Sequence, residues 1–188
     1  VKRQYADYLH KDDFLKMVLT DTLPFPVRAL IHLGACSSTT ERNADYLMEN
    51  NYRYTCNLAA WASKHQVRFI YASSAATYGD GSQGFSDDDA ATKNLQPINM
   101  YGYSKQLSDL WVLKQEAAQN MTGIKFFNVF GPNEYHKEDM TSVIFKAYHQ
   151  IRERGSVRLF KSYHPSFRDG EQMRDFVYVK DCADVLWW

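Results

Sequence analysis

Apolar and polar positions follow two different spacings along this chain, and their alternation predicts helices interleaved with buried strands. Apolar residues recur at helical spacing from residue 11 to residue 20. Three short apolar runs are predicted to be buried strands, at residues 27–33, 67–72 and 123–129. Helices and strands that alternate in this way are typical of a parallel sheet with helices on its faces.

A long helix is predicted between the first two strands. Ser38 and Glu41 have the spacing of a capping box, which places the start of this helix at Ser38. Its apolar positions repeat at helical spacing as far as Trp61, and the pattern ends near Lys64.

A second long helix is predicted to begin after Asn99, a residue type that caps helix N-termini. Its predicted buried face consists of the apolar positions Met100, Tyr103, Leu107, Leu110 and Trp111. Residues 79–97, which precede this helix, are rich in Gly, Ser and Asp without periodicity, so we expect a loop there.

The last third of the chain completes an α/β pattern. We expect a helix at 141–154, short strands at 158–160 and 175–179, and an apolar helix at the end of the chain. Neither end carries a capping signal, so we expect both ends to lie inside a longer protein.

Composition and charge exclude several classes of function. The 22 basic residues balance 22 acidic ones, so net charge does not favour binding to nucleic acid or to an anionic membrane. No apolar run is long enough to span a bilayer and no signal peptide core is present, so we expect a cytoplasmic protein. The three cysteines lack the spacing of metal ligands, so we expect no metal site. We expect these cysteines to be reduced thiols.

Candidate chemistry falls beside the predicted strand ends. Tyr101 and Lys105 lie one helical turn apart, so the ammonium group is expected to lower the pKa of the phenol and make it a usable base. Ser74 follows the second strand and would lie on the same rim of the sheet. Ligands of parallel sheets lie beyond the carboxyl ends of the strands, which indicates the loops after residues 33, 72 and 129.

Several longer motifs contain these residues. They are His32-Leu-Gly-Ala-Cys-Ser-Ser-Thr-Thr-Glu41, Tyr71-Ala-Ser-Ser-Ala-Ala-Thr-Tyr-Gly79, Tyr101-Gly-Tyr-Ser-Lys105, Phe127-Asn-Val-Phe-Gly-Pro132, His136-Lys137 and Arg174-Asp-Phe-Val-Tyr-Val179. Together they resemble the extended short-chain dehydrogenase/reductases and, more narrowly, the ADP-L-glycero-D-manno-heptose 6-epimerase family. The resemblance implies a Rossmann-like, doubly wound parallel sheet that lacks the first βαβ part and the C-terminal end of the substrate domain. It also implies that residues 1–155 belong to a dinucleotide-binding core that is incomplete at its N-terminus, and that residues 156–188 begin a substrate-binding region.

The resemblance also implies a reaction and a cofactor. A bound NADP, with NAD as an alternative, would accept hydride from C6 of an ADP-linked heptose and return it to the opposite face of the ketone. This reaction serves the synthesis of lipopolysaccharide inner-core precursors. The implied catalytic residues are Ser74, Tyr101, Lys105 and Lys137, with Tyr101 and Lys137 as the acid/base groups for the two faces.

The family pattern further assigns binding residues. The implied cofactor contacts are Leu33, Gly34, Ala35, Cys36, Ser37, Asn50, Lys105, Val129 and Lys137. The implied substrate contacts are Ser74, Asn128, Asp139, Lys146, Phe160, Lys161, Ser162, Tyr163 and Arg174. The family associates through its two long helices, so a homo-oligomer is expected.

The sequence departs from the family pattern at several positions. Glu138 and Asp139 follow His136-Lys137, where small residues are usual and where acids would repel a diphosphate unless turned away. Lys146 stands where a substrate-binding His is expected, and Lys161 and Tyr163 replace a turn of an acid and a Gly. The chain also lacks the G-x-x-G-x-x-G turn that binds the cofactor pyrophosphate.

Three alternatives stay open from the sequence. A nucleotide-sugar 4-epimerase would use the same Ser, Tyr and Lys. A 4,6-dehydratase would need a proton donor close after the Ser, and Ala75-Ala76 in that place disfavours it. The chain could also be a catalytically inactive fragment, because the phosphate-binding turn is missing.

Overall fold

Helices flank short strands throughout the computed structural model, which describes residues 4–115, 118–163 and 165–187. The chain divides into two compact units, Val1–Lys125 and Phe126–Trp188. The expected division at residue 155 concerns the binding regions of a longer protein and stays a prediction.

The first unit contains a three-stranded sheet. Its strands are β1 (Ala29–His32), β2 (Arg68–Ser74) and β3 (Met121–Phe126), in the order β1-β2-β3. Strands β1 and β2 are parallel, with Ala29 opposite Arg68 and His32 opposite Tyr71. The helices are α1 (Lys11–Thr20), α2 (Ala44–Leu47), a π-helix (Met48–Arg53), α3 (Tyr54–Lys64), α4 (Asp89–Thr92) and α5 (Met100–Val112). The fold class expected from the sequence is therefore confirmed.

The hydrophobic core of the first unit lies between the sheet and helices α1, α3 and α5. Phe69 on β2 and Ala59 and Ala62 on α3 are fully buried at its centre. Removing such surfaces from water supplies most of the stabilisation of a small domain. The apolar periodicities of the first helix and of β2 thus correspond to core positions. The prediction that the first strand is buried is wrong for Ile31, which is 43% exposed because it lies on the side of β1 that faces away from the core.

The predicted capping box is wrong. The helical segment begins after Asn43, whose side chain accepts a hydrogen bond from the backbone N–H of Tyr46 at 3.0 Å. Glu41 instead accepts hydrogen bonds from the backbone N–H groups of Arg42 and Asn43, and the Ser38 hydroxyl contacts Thr40. The local carboxylate bonds delay the first helical turn, so the helix starts later than the spacing indicated.

The predicted Asn99 cap is confirmed, since its side chain accepts a hydrogen bond from the N–H of Gly102 at 2.7 Å. The predicted buried face of α5 is wrong for its first turn, where Met100 is 49% and Tyr103 is 55% exposed. The buried positions are largely polar instead, among them Ser104, Lys105, Ser108 and Asp109. Burial of these groups is tolerated because each has hydrogen-bond partners within the first unit.

A buried ion pair holds α5 against β2 and β3. The carboxylate of Asp109 accepts hydrogen bonds from the Tyr71 phenol at 2.9 Å, the Ser73 hydroxyl at 2.7 Å and the Lys125 ammonium at 2.6 Å. The Lys125 ammonium also donates to the hydroxyl of Thr77 at 3.0 Å. Burial and the Asp109 charge raise the pKa of Tyr71, so the phenol remains a donor.

The second unit contains the parallel strands β4 (Asn128–Phe130) and β5 (Phe176–Tyr178), with Asn128 opposite Phe176. Helix α6 (Val143–Arg154) is capped by Ser142, and α7 (Val179–Trp187) follows β5. A 3₁₀-helix spans Tyr135–Met140. The expected helix at 141–154 and the strand at 175–179 are confirmed within two residues.

Three other expectations for secondary structure are wrong. The strand predicted at 123–129 is two strands, because β3 joins the first sheet and β4 pairs with β5. Residues 158–160 form no strand; Leu159 and Phe160 are exposed, and the Arg158 N–H bonds to the Gln150 side chain. The loop predicted at 79–97 contains the short helix α4.

The Asp109–Lys125 pair gives a stability test. Replacing Asp109→Asn leaves the Lys125 ammonium buried without a counter-charge, so we expect the free energy of unfolding in urea to fall by about 3 kcal/mol. The double variant Asp109→Asn/Lys125→Met removes both charges and should lose less than the sum of the two single losses. Strictly additive losses, or a loss from Asp109→Asn below about 0.5 kcal/mol, would contradict a stabilising ion pair.

Candidate active site

Ser74 stands at the last position of β2, where the strand turns into a 3₁₀-helix at Ala75–Tyr78. Its hydroxyl accepts a hydrogen bond from the N–H of Ala76 at 3.1 Å, and its carbonyl accepts one from the Thr77 hydroxyl at 2.8 Å. Thr77 is in turn held by Lys125. The ammonium group of the Asp109–Lys125 ion pair therefore helps to hold the turn that contains Ser74.

Helix α5 approaches this turn closely at Gly102. A Cβ atom at that position would stand 2.7 Å from the carbonyl oxygen of Ala76 and 3.0 Å from a side-chain carbon of Pro97. Such distances exclude any side chain without a shift of the backbone. Gly102 thus allows the first turn of α5, which carries Tyr101, to lie directly against the Ser74 turn.

The Tyr101 phenol lies near the Ser74 hydroxyl. Burial raises the pKa of the phenol, its interaction with Ser74 opposes this rise, and the neighbouring Cys36 thiol adds to it. The sequence expectation that Lys105 lowers this pKa is not met in the structure. The reason is that the phenol is largely enclosed, and enclosure disfavours the phenolate.

The Lys105 ammonium donates to the carbonyl oxygen of Ala72 on β2 at 2.8 Å, and the residue is only 3% exposed. Burial lowers the pKa of Lys105 to about 8, while the nearby Asp109 carboxylate acts in the opposite direction. An ammonium group has three N–H donors, so two remain for a ligand beside the bond to Ala72.

The loop after β1 contains most of the expected cofactor contacts. Leu33 is 51% exposed, and a Cβ atom at Gly34 would meet only His32, at 3.8 Å. Cys36 is half-buried, and its backbone is held by the side chain of Asn51. The expected contact Asn50 lies on the π-helix, and its amide donates to Asn51 at 3.2 Å.

These residues fit one end of a nicotinamide cofactor. The space above Gly34 admits close approach of a ligand to the backbone. The free donors of Lys105 match the hydroxyl acceptors of a ribose. The placement of a ribose and a nicotinamide between the β1 loop and the first turn of α5 stays a prediction.

The remaining predicted site residues lie in the second unit. Lys137 is exposed on the 3₁₀-helix Tyr135–Met140, and the Asn128 amide donates to the Asp175 carbonyl at 2.8 Å. Val129 lies on β4, and the Lys146 ammonium donates to the backbone of Asp139 at 2.6 Å. Lys137 belongs to the second unit and Tyr101 to the first, and their expected meeting stays a prediction.

The other predicted sugar contacts of the second unit lie in the loop after α6, where Ser162 is half-buried and Phe160, Lys161, Tyr163 and Arg174 are exposed. Phe160 is 65% and Tyr163 is 92% exposed, with the Lys161 ammonium 6.0 Å from the Tyr163 ring. The N–H of Ser162 donates to Asp169, and the Arg174 guanidinium donates to the carbonyl of Met173. Their assignment to the substrate stays a prediction.

Sequence reasoning missed the residues that hold the site in place. Asp109 follows Lys105 by one helical turn, and this spacing is the signal that could have identified it. Asn51 and Ser104 are fully enclosed and hydrogen-bonded to one another, at positions with no distinctive motif. Glu134 is 4% exposed and accepts hydrogen bonds from Gly131 and Ser142, which orders the turn before Lys137.

The described part of the chain contains neither a membrane-spanning helix nor a group of metal-ligating side chains. No helix there is both long and apolar enough to cross a bilayer. No three His, Cys, Asp or Glu side chains there are grouped as metal ligands would be.

Known proteins similar to this chain include several sugar epimerases. It is 60% identical over 188 residues to the ADP-L-glycero-D-manno-heptose-6-epimerase of Nitratidesulfovibrio vulgaris (strain DP4), covering all of this chain and 58% of that protein. It is 47% identical over 190 residues to the ADP-L-glycero-D-manno-heptose-6-epimerase of Fusobacterium nucleatum, covering all of this chain and 57% of that protein. The chain thus spans a little over half the length of these relatives, and the resemblance to the heptose 6-epimerases is confirmed.

Solved structures agree with this result. The crystal structure of Helicobacter pylori ADP-L-glycero-D-manno-heptose-6-epimerase matches with a TM-score of 0.74 at 32% identity, over 93% of this chain and 52% of that chain. A UDP-N-acetylglucosamine 4-epimerase from Methanobrevibacter ruminantium M1 matches with a TM-score of 0.66 at 25% identity, over 82% of this chain and 48% of that chain. The family model described as "NAD dependent epimerase/dehydratase family" matches residues 3–188. The chain therefore belongs to the NAD dependent epimerase/dehydratase family.

Proposed function

We propose that this protein is an isomerase that inverts C6 of the heptose in ADP-D-glycero-D-manno-heptose to give the L-glycero form. The observation that carries the catalytic part is the close approach of α5 to the Ser74 turn at Gly102, which brings the Tyr101 phenol near the Ser74 hydroxyl. The identity of 60% to a heptose 6-epimerase over the whole chain supports the choice of substrate.

Tyr101 is proposed to exchange a proton with the C6 hydroxyl of the sugar, and Ser74 to hold the same oxygen by a hydrogen bond. A bound nicotinamide cofactor supplies the site with a hydride acceptor and donor, and its positive charge favours the phenolate that burial disfavours. Lys105, fixed by Ala72, is proposed to hold the ribose hydroxyls of the cofactor.

Inversion requires an acid/base group on each face of the reacting carbon. We assign the second group to Lys137, because it follows the Gly131-Pro132 turn in the His136-Lys137 pair. The order of this turn, which Glu134 maintains, supports a defined position for the Lys137 ammonium. The exposed residues of the loop after α6 are proposed to bind the nucleotide sugar.

NADP is the proposed cofactor, and NAD is the alternative. The family description names NAD dependence, which supports a nicotinamide cofactor without selecting between the two. The proposed reaction belongs to the synthesis of lipopolysaccharide inner-core precursors in the cytoplasm.

A 4-epimerase is the second candidate, favoured by the similarity to the Methanobrevibacter ruminantium enzyme. A dehydratase is disfavoured, since Ala75 and Ala76 follow Ser74 in the 3₁₀-helix and neither can protonate a leaving hydroxyl. Product analysis by NMR with ADP-heptose and with UDP-sugars separates these activities, and a chain that converts none of these sugars would support the inactive alternative.

Tyr101→Phe tests the proposed base. The variant keeps the ring and loses only the ionisable oxygen, so we expect epimerisation to fall by about 10²–10⁴-fold with little change in the unfolding midpoint. Tyr103→Phe, on the exposed side of the same helix, is the matched control and should retain activity. Near-normal turnover by Tyr101→Phe would show that the phenol is not the base.

Lys105 gives a test that needs no substrate. Its pKa is lowered to about 8 in the folded protein, below the unfolded value of about 10.4. The unfolded state therefore binds more protons between these values, and stability should rise with pH in this window. Relative to Lys105→Met, we expect the wild-type free energy of unfolding to increase by up to about 3 kcal/mol between pH of about 8 and about 10.

The control for this measurement is Lys93→Met, at an exposed position of the same unit, which should follow the wild type at every pH. A wild-type curve parallel to that of Lys105→Met across the window would contradict a depressed pKa for the buried ammonium.

Self-association is proposed to use an apolar groove beside the start of α5. The groove is lined mainly by apolar residues of α2, the π-helix and the start of α5, among them Leu47, Met48, Ile98, Met100 and Tyr103. Ile98 is 73% exposed, and side chains of this type rarely face water in a contiguous patch without a partner. The groove lies on the two helices through which the family associates, which supports a second copy of this chain as the partner.

Met100→Lys tests this surface. A buried charge in the contact would be costly, so we expect sedimentation velocity to show a shift from oligomer to monomer. Leu19→Lys, at a 61% exposed apolar position on α1, is the matched control and should leave the oligomer unchanged. Unaltered sedimentation of Met100→Lys would place the association elsewhere.

A further inference from the structure

Asn51 is the most completely bonded polar side chain near the site, and it is fully buried. Its amide nitrogen donates to the carbonyl of Cys36 at 3.0 Å and to the hydroxyl of Ser104 at 3.1 Å. Its amide oxygen accepts from the N–H of Cys36 at 2.8 Å and from the amide of Asn50 at 3.2 Å. The two bonds to Cys36 fix which end of the amide is oxygen, because the backbone offers one donor and one acceptor.

The π-helix explains why Asn51 reaches these partners. The N–H of Tyr54 bonds to the carbonyl of Glu49, five residues earlier. This wider turn changes the direction in which the side chains of the π-helix point. The freed carbonyl of Asn51 accepts a hydrogen bond from the Thr55 hydroxyl at 2.5 Å. A local π-helix has a strained hydrogen-bond pattern that persists only when surrounding contacts favour it, and the Asn51 bonds supply such contacts.

Ser104 extends the chain of bonds to the catalytic turn. Its hydroxyl accepts from Asn51 and donates to the carbonyl of Tyr101 at 2.7 Å. Three consecutive hydrogen bonds therefore link the backbone of Cys36, in the loop after β1, to the backbone of Tyr101 in the first turn of α5.

We infer that Asn51 is a positioning residue whose amide, acting through Ser104, couples the order of the loop after β1 to the position of Tyr101. The catalytic meaning of this coupling rests on the function proposed above, in which the loop contacts the cofactor and Tyr101 contacts the sugar. Ordering of one element lowers the entropic cost of ordering the other, so cofactor binding and alignment of the phenol assist each other.

No other common side chain reproduces these bonds. Asp cannot donate to Cys36 or Ser104, and Leu has a similar volume without any polar group. Ser104→Ala cuts the link to α5 and leaves both bonds between Asn51 and Cys36 in place. Ser108→Ala is its matched control, because Ser108 is equally buried on the same helix and its hydroxyl donates to the carbonyl of Ser104 at 3.1 Å.

The Cys36 thiol provides a readout that is independent of activity. It is half-buried, whereas Cys56 and Cys182 are buried, so alkylation by iodoacetamide followed by peptide mass spectrometry reports the opening of the β1 loop. We expect Asn51→Leu to raise the rate of Cys36 alkylation by at least about fivefold. Ser104→Ala should also raise it although Ser104 does not contact Cys36, and Ser108→Ala should leave it unchanged.

The double variant Asn51→Leu/Ser104→Ala distinguishes a coupled chain of bonds from separate local effects. Because Asn51→Leu already interrupts the series of hydrogen bonds, Cys36 in the double variant should react no faster than in that single variant. Multiplicative rates, or a Ser104→Ala rate equal to that of Ser108→Ala, would overturn the inference. Ser104→Ala and Ser108→Ala keep the test decisive if Asn51→Leu does not fold.

Kinetics of the full chain then connect the coupling to the reaction. We expect Asn51→Leu to raise the KM for cofactor and lower kcat, while Ser104→Ala lowers kcat more than Ser108→Ala does at an equal unfolding midpoint. Wild-type protein without epimerase activity, together with the expected alkylation rates, would refute the proposed function and leave the coupling intact. Active wild-type protein in which Ser104→Ala and Ser108→Ala behave alike in both assays would refute the coupling alone.

Discussion

The packing of the polar face of α5 against the end of β2 is the constraint on which the candidate site depends. A helix in a small domain normally buries its apolar face, and here Lys105, Ser108 and Asp109 are enclosed instead. The charged groups are stabilised by partners, since Asp109 pairs with Lys125 and Lys105 donates to the carbonyl of Ala72. The outer face of the same helix keeps its apolar residues, which leaves them free for another protein surface.

Enclosure also determines the acid/base properties of the site. It raises the pKa of Tyr101 and lowers the pKa of Lys105, and both shifts disfavour the charged form. The pKa values of the phenol and the ammonium, which are nearly equal in water, are therefore moved apart, and that of the phenol becomes the higher of the two. In the proposed mechanism the positive charge of the bound cofactor favours the phenolate of Tyr101. Without this ligand, the protein holds the phenol in its neutral form. Such an arrangement limits proton exchange to the state in which the reaction partners are bound.

The sequence predicted the order of helices and strands well where the apolar period was long. Helix α1, strand β2 and the Asn99 cap agree with it, because their patterns correspond to core positions and to a local hydrogen bond, and β1 agrees in position. It failed for residues 123–129, since only strand pairing shows that β3 and β4 join different sheets. It selected Ser74 and Tyr101, which carry a motif and whose roles stay predictions, and it missed Asn51 and Asp109, whose contacts depend on partners far away in sequence. The pKa of Tyr101 depends on enclosure, which spacing along a helix does not report.

Gly102 shows how little tolerance this arrangement has. The carbonyl of Ala76 occupies the space that a methyl group would need, so even alanine would act as a wedge between the helix and the turn. Gly102 carries only a hydrogen atom in place of a side chain, and this determines how closely Tyr101 can approach Ser74. Adjusting the reach of the site toward a bulkier sugar would consequently have to begin in the backbone of this junction, before any residue that touches the ligand is altered.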